Sequence, residues 1–208
     1  MTTEFESKDR LLELAQLRFF QTGFNKVTMD ELSSELGVSK KTFYKFFPSK
    51  DDLLRATVHL VMRSMEKRME EIVSSNKPFV EKMADVMTLV GKLTNKMSKA
   101  FQSDIQRFAP SLWKEIEKFR REQILNKVEK MIHQAREEGI FRDDVNEKIL
   151  LLMILSCVQG IINPEVLVQN SFSAEEAFRT IFNVLFKGSM SDDARKNFHS
   201  VDVQQITI

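Results

Sequence analysis

The chain is poor in residues that cross-link or interrupt a backbone. Its 208 residues include one cysteine, four prolines, six glycines, one tryptophan and one tyrosine. The lone Cys157 excludes an intrachain disulfide, argues against a cysteine-based zinc site and fits a reducing compartment. Set in an apolar run, it reads as a buried, inert thiol. Net charge is also missing: 31 basic and 30 acidic side chains leave +1, so no global field draws the protein to nucleic acid or an anionic membrane, and any polyanion site must be local. The longest apolar stretch, ILLLMILSCVQGII at 149 to 162, is shorter than the ~17 to 25 residues of a membrane span and contains Ser156 and Gln159, so it reads as a buried helix. The opening MTTEFESKDR lacks the basic and apolar regions of a secretory leader, which gives cytoplasmic location as the expectation. His59, His133 and His199 are far apart, without HExxH spacing, and neither a phosphate-binding glycine loop nor a Gly-x-Ser-x-Gly elbow occurs. No catalytic residue, metal site or cofactor is therefore expected.

What remains is helical patterning. The few glycines and prolines fall where a helical period breaks, strand signals are nearly absent, and the fold class is all-α. Leu11, Leu12, Ala15 and Phe19 form one apolar stripe ending at Gly23, which predicts a helix over about 7–22. Thr28 with Glu31 is a capping box that opens a second helix carrying Met29, Leu32 and Leu36. Gly37 stops it, and Ser39 caps a third helix of about eight residues, too short to stand without packing from Phe43 and Phe47. Pro48 breaks the chain, Ser49 caps again, and Asp51 and Asp52 stand in the favourable first turn of a helix over about 51–75.

The third helix is where charge gathers. GVSKKTFYKFFPSK, residues 37–50, carries four lysines and no acid. With Phe43 and Phe47 turned inward, Lys40, Lys41, Thr42, Tyr44 and Lys45 occupy the other faces. Helix, tight turn and short basic helix is the arrangement of a helix-turn-helix, whose second helix enters the major groove. Lysine ammonium groups and the Tyr44 hydroxyl can meet phosphates, and Lys50 stands at a helix start that also favours an anion. The other reading of the patch is a lysine-rich surface helix.

The string LLELAQLRFFQTGFNKVTMDELSSELGVSKKTFYKFFPSKDDLL, from Leu11 to Leu54, resembles the DNA-binding domain of the TetR family of bacterial transcriptional regulators. The matches are Phe19 and Gly23-Phe24, Thr28, Gly37-Val38-Ser39, Thr42-Phe43-Tyr44, Phe47, Ser49-Lys50 and Leu53-Leu54. The resemblance implies that Thr28, Lys40, Thr42, Tyr44 and Lys50 contact phosphates, and that Ser39, Lys41 and Lys45 face base edges. Lys41 stands where a small residue is frequent in the family and Phe43 where leucine is usual. The first departure adds a long donor that can reach guanine O6 and N7.

After Leu54 the periodicity predicts further helices over about 78–102, 110–138, 146–163 and 173–187. The expected organisation is a DNA-binding domain over 1–50, a regulatory and dimerisation domain over 51–188 with helix 51–75 connecting, and a tail over 189–208, read as a short peripheral element or unstructured. Met83, Met87, Met97, Phe101, Phe108, Trp113, Phe119 and Met131 read either as ordinary core or as an adaptable lining for an apolar ligand. The resemblance favours a regulatory pocket for a lipophilic effector. It also implies a homodimer in which the helices of 149–162 and 173–187 meet their copies, with Leu151, Ile154, Val158, Gly160, Phe178, Ile181, Phe182 and Leu185 as interface candidates. A dimer suits a palindromic operator, because two recognition helices about 34 to 36 Å apart address successive turns of one groove. The functional expectation is a ligand-responsive repressor released from duplex DNA by its effector. The alternative is a lipid-binding or carrier module with a basic patch.

Overall fold

Long helical runs stopped by capped turns make up the computed structural model, which describes residues 4–198. The helices are α1 (Glu4–Thr22), α2 (Met29–Glu35), α3 (Lys40–Phe46), α4 (Lys50–Ser74), α5 (Phe79–Lys96), α6 (Lys99–Phe108), α7 (Pro110–Gln123), α8 (Glu129–Glu137), α9 (Glu147–Ile161), α10 (Pro164–Gln169), α11 (Ala174–Ser189) and α12 (Asp192–Phe198). Among the described residues, extended pairing is limited to one antiparallel bridge between Phe141 and Met190. The chain is all-α.

Several boundaries move from their expected places. The run over 78–102 is two helices: α5 ends at Lys96, and Ser98 caps α6 by accepting from the Phe101 N–H. Ser98 is taken out of the helix because its own N–H donates to the Phe20 carbonyl at 2.8 Å. The run over 110–138 is helical throughout but contains a π-helical turn, Ile124–Val128, in which Ile124 and Val128 are both buried. Pro164, expected only to interrupt, opens α10 as its first residue after an Asn163 cap. In the expected tail, α11 continues to Ser189 and α12 follows; residues 199–208 lie outside the described part.

Packing divides the chain into two units, one holding residues up to Ser64 with Lys96–Ile116, the other Met65–Asn95 with the residues from Glu117 onward. The expected division after residue 50 follows the recognition motif. The units follow packing, which adds α6 and the start of α7 to the N-terminal helices. In the first unit Leu11, Ala15, Phe19, Leu32, Phe43, Leu53 and Leu54 are almost fully buried. Phe19 meets Phe24 edge-on at 5.5 Å, and Phe20 meets Phe101 of α6 at 4.6 Å. Glu115 ties α7 to α4 through Arg55 and through His59 Nε2 at 2.8 Å.

The second unit has a core of linked aromatic rings. Phe178, Phe182 and Phe186 follow one face of α11 at helical spacing, with centroids 4.4 and 5.3 Å apart, and Phe79 and Phe141 close against Phe186. Lys82 is buried here. Its ammonium donates to the Val73 carbonyl at 2.7 Å and to Gln134 Oε1 at 2.8 Å, which satisfies a last-turn carbonyl of α4 and places positive charge at that helix's negative end.

Candidate nucleic-acid interface

Three successive helices, α2, α3 and α4, owe their starting points to caps. At the start of α2 the Thr28 Oγ1 accepts from the Glu31 N–H at 3.2 Å while Glu31 Oε2 accepts from the Thr28 N–H at 2.8 Å, so the predicted capping box is formed. Hydrogen bonding to the Glu31 carboxylate, from the Thr28 backbone N–H first and from the Thr28 side chain second, holds that carboxyl below the usual glutamate range. At the other end of α2, Gly37 takes φ +67. Its N–H reaches the Ser34 carbonyl and the Val38 N–H reaches the Ser33 carbonyl, both at 3.1 Å, which is the paired-bond helix stop that favours glycine. The turn thus ends one helix and leaves Ser39, in extended conformation, to cap the next by accepting from the Thr42 N–H at 3.1 Å.

The third helix is seven residues long and is held by its inward aromatic side. Phe43 is 0% exposed and Phe47, its C-cap residue, is also buried. Tyr44, Lys41 and Lys45 face outward. Expected contact residues differ in how far local bonds occupy them. Ser39 and Thr42 share a hydroxyl hydrogen bond at 2.8 Å. Lys40 donates to Asp30 Oδ2 at 2.6 Å, and that hydrogen bond holds its ammonium above the ordinary lysine range. Lys40 therefore presents less net positive charge than the sequence count suggests. Ser49 caps α4 by accepting from the Asp52 N–H at 3.1 Å.

Lys50 stands apart. It is half-buried, its ammonium lies 4.3 Å above the Phe24 ring and donates to the Asn25 carbonyl at 3.2 Å. Burial pushes it below the ordinary lysine range, against the opposing pull of Asp104, Asp51 and Glu31. Asp104, on α6, was outside the sequence expectation. Its Oδ2 accepts from the Asn25 N–H at 2.8 Å, between residues 79 positions apart, and no local pattern announces such a bond.

The other predicted sets are redistributed. Met97, Phe101, Phe108 and Trp113 belong to the first unit, and Met83, Met87, Phe119 and Met131 to the second. Phe101 packs on Phe20, Phe108 is exposed, and Met83 and Met131 are buried in the second unit's core with Met87 against it. Of the interface candidates, Leu151, Ile154, Val158, Phe178, Ile181 and Phe182 are buried in the chain's own core, and Leu185 packs against it. They are α9 and α11 side chains turned toward each other, because a helix must first fill its own protomer's core. Gly160 alone of the eight lies on an exposed face, with open space where a Cβ would stand. The outward apolar side chains are Ile149, Leu152 and Met153 on α9 and Val184 on α11, the last 65% exposed. Helical spacing could have separated these from the inward set, since 149, 152, 153, 156 and 160 share one face. Cys157 is half-buried. No described helix is long and apolar enough to cross a membrane.

Residues 11–57 match the family model described as bacterial regulatory proteins, tetR family. The uncharacterized HTH-type transcriptional regulator YvaF of Bacillus subtilis is 23% identical over 175 residues, covering 83% of this chain and 90% of its own. The nucleoid occlusion factor SlmA of Vibrio campbellii is 25% identical over 157 residues, covering 74% of this chain and 80% of its own. A transcriptional regulator from Cytophaga hutchinsonii has the same fold, with TM-score 0.69 at 20% identity over 88% of this chain and 98% of its own.

Proposed function

Because this chain belongs to the tetR family of bacterial transcriptional regulators and carries that family's helix-turn-helix, we propose that it acts in the cytoplasm as a homodimeric repressor, binding a palindromic operator until a small apolar effector releases it. The observation that carries the reading is α3 itself: a seven-residue helix, anchored by a fully buried phenylalanine, whose outward side offers Lys41, Tyr44 and Lys45. Lys41 and Lys45, with Ser39 at the helix start, are the base-edge candidates. Thr28, Lys40, Thr42, Tyr44 and Lys50 form the phosphate set, which supplies register and salt-dependent affinity.

The outward apolar side of α9 and α11 supports dimerisation. Ile149, Leu152, Met153 and Val184 are exposed large hydrophobic side chains, and Ser156, Gly160, Thr180 and Gly188 are exposed on the same helices at helical spacing. Small residues between apolar ones let two copies of a helix approach closely. This stripe, rather than the eight residues inferred from sequence, is the proposed interface, with Gly160 common to both. Effector binding is assigned to the second unit, where Met83, Met87, Phe119 and Met131 remain of the predicted lining. Release requires only that the effector bind one conformation better than the other, and ~1 to 3 kcal/mol of coupling changes DNA affinity ~5 to 150-fold.

In vitro selection of duplex DNA by the purified protein at fixed salt tests the reading. The expected product is an imperfect palindrome with half-sites one helical turn apart, lost together with binding in the Tyr44→Ala, Lys50→Ala double variant while the dimer persists. Selection that enriches no sequence overturns it.

A further inference from the structure

The backbone of Asn25, in the turn between α1 and α2, is held on both sides of its Cα. Its N–H donates to Asp104 Oδ2 of α6 at 2.8 Å and its carbonyl accepts from Lys50 Nζ of α4 at 3.2 Å. The approach of α6 is close: a Cβ on Gly23 would lie 2.7 Å from Asp104 Oδ2 and 3.2 Å from the Ala100 Cβ. Gly23 also has φ +90, a conformation that side-chain-bearing residues rarely adopt, and any Cβ there would displace the Asp104 carboxylate. Ser98 and Phe101 bind the same region, through the Phe20 carbonyl and the Phe20 ring.

We propose that Asp104 is a positioning residue for DNA binding, fixing the backbone at Asn25 so that Lys50 is held ready for a backbone phosphate. The inference rests on the phosphate role assigned to Lys50 above. A free lysine loses much rotamer freedom when it grips an anion, and a lysine already held loses less. Here the ammonium lies over the Phe24 ring and one of its hydrogens is spent on Asn25, which leaves two donors for phosphate oxygens. The Asp104 carboxylate fixes Asn25 on the N–H side of its Cα, which leaves the Asn25 carbonyl on the other side aimed at Lys50. The same turn leads three residues on to Thr28, the phosphate candidate that lies outside α3 and α4. α6 thus sets a contact that the helix-turn-helix cannot set alone.

Random-sequence duplex DNA is a sufficient probe, because phosphate contacts also carry non-specific binding. Affinity is measured against salt for the full chain. Asp104→Ala is expected to weaken binding roughly 3- to 10-fold and to flatten the slope of log affinity against log salt by about 0.9, the signature of one lost phosphate contact. Asp104→Asn keeps an acceptor for the Asn25 N–H and is expected to bind no more weakly than the parent. In a Lys50→Ala background Asp104→Ala is expected to add no further loss, as two residues acting through one contact require. Asn25 is exposed, so water can replace the carboxylate and the alanine variant folds; a circular dichroism melt checks this. An unchanged Asp104→Ala variant, equal losses from asparagine and alanine, or an additive loss on top of Lys50→Ala overturns the inference. Parental affinity and slope in Lys50→Ala alone instead sinks the phosphate reading of Lys50.

Discussion

Helices α3 and α9 solve the same geometric problem with opposite surfaces. Each turns apolar side chains inward: Phe43 in α3, and Leu150, Leu151, Ile154, Leu155 and Val158 in α9. Outward, α3 shows Lys41, Tyr44 and Lys45, while α9 shows Ile149, Leu152 and Met153. A charged outer side is stable in water and waits for a polyanion. An apolar outer side costs free energy in water, about 25 cal/mol for each Å² left exposed, and gains by meeting another such face. One surface is therefore suited to reversible, salt-sensitive contact and the other to a lasting interface.

The sharpest way to break this comparison is to remove the inward anchor of α3. Phe43→Ala should cost about 3 to 5 kcal/mol in the unit that holds it, because a seven-residue helix has little stability of its own. DNA binding should vanish while analytical ultracentrifugation still reports the dimer; retained DNA affinity would mean that α3 does not depend on its packing. The outward side of α9 is tested by Leu152→Glu, which in the proposed dimer would bring two carboxylates together across the two-fold axis and weaken association ~100-fold. Sedimentation should show monomer with parental helix content, and an unchanged dimer would move the interface off this stripe.

A smaller effect tests the cap rather than the face. Thr28→Ala removes the oxygen that accepts from the Glu31 N–H and should lower stability by about 0.5 to 2 kcal/mol in a denaturant titration. The smallest expected effect is on pH. Glu115, bonded by His59 and Arg55, has its carboxyl held below the usual range. A depressed carboxylate contributes stability above its unfolded pKa, and that contribution is lost as pH falls through the folded value. Glu115→Gln should therefore flatten the acid end of the melting-temperature profile, below the ordinary glutamate range of about pH 4.3, and leave the neutral region lower and level. Both partners are partly exposed, so the shift is modest. A variant whose acid limb matches the parent would remove Glu115 as a source of that limb.

The head of the molecule was readable because its signals are local. The capping box at Thr28, the glycine stop at Gly37, the Ser39 cap and the four-residue spacing of Phe43 and Phe47 each act within a few positions, and each is formed as read. The boundary at Ser98 was not readable, because a backbone bond to Phe20 in a distant helix overrides a continuous helical period there. The π-helical turn at 124–128 likewise has no residue that marks it in the sequence. The inward and outward sides of α9 were confused for a related reason. When a helix is apolar almost all round, composition says that every side is covered but not which side is covered by its own chain.

Sequence alone determined the all-helical class, the helix-turn-helix and the identity of its basic helix, since caps, turns and helical spacing are short-range physics. Tertiary structure decided the rest: that Lys40 is largely answered by Asp30, that Ile149, Leu152 and Met153 rather than Leu151 and Ile154 face outward, and that Asp104 reaches Asn25. Those outcomes depend on which distant segments come to lie within hydrogen-bond or van der Waals range, and only the folded chain supplies that information.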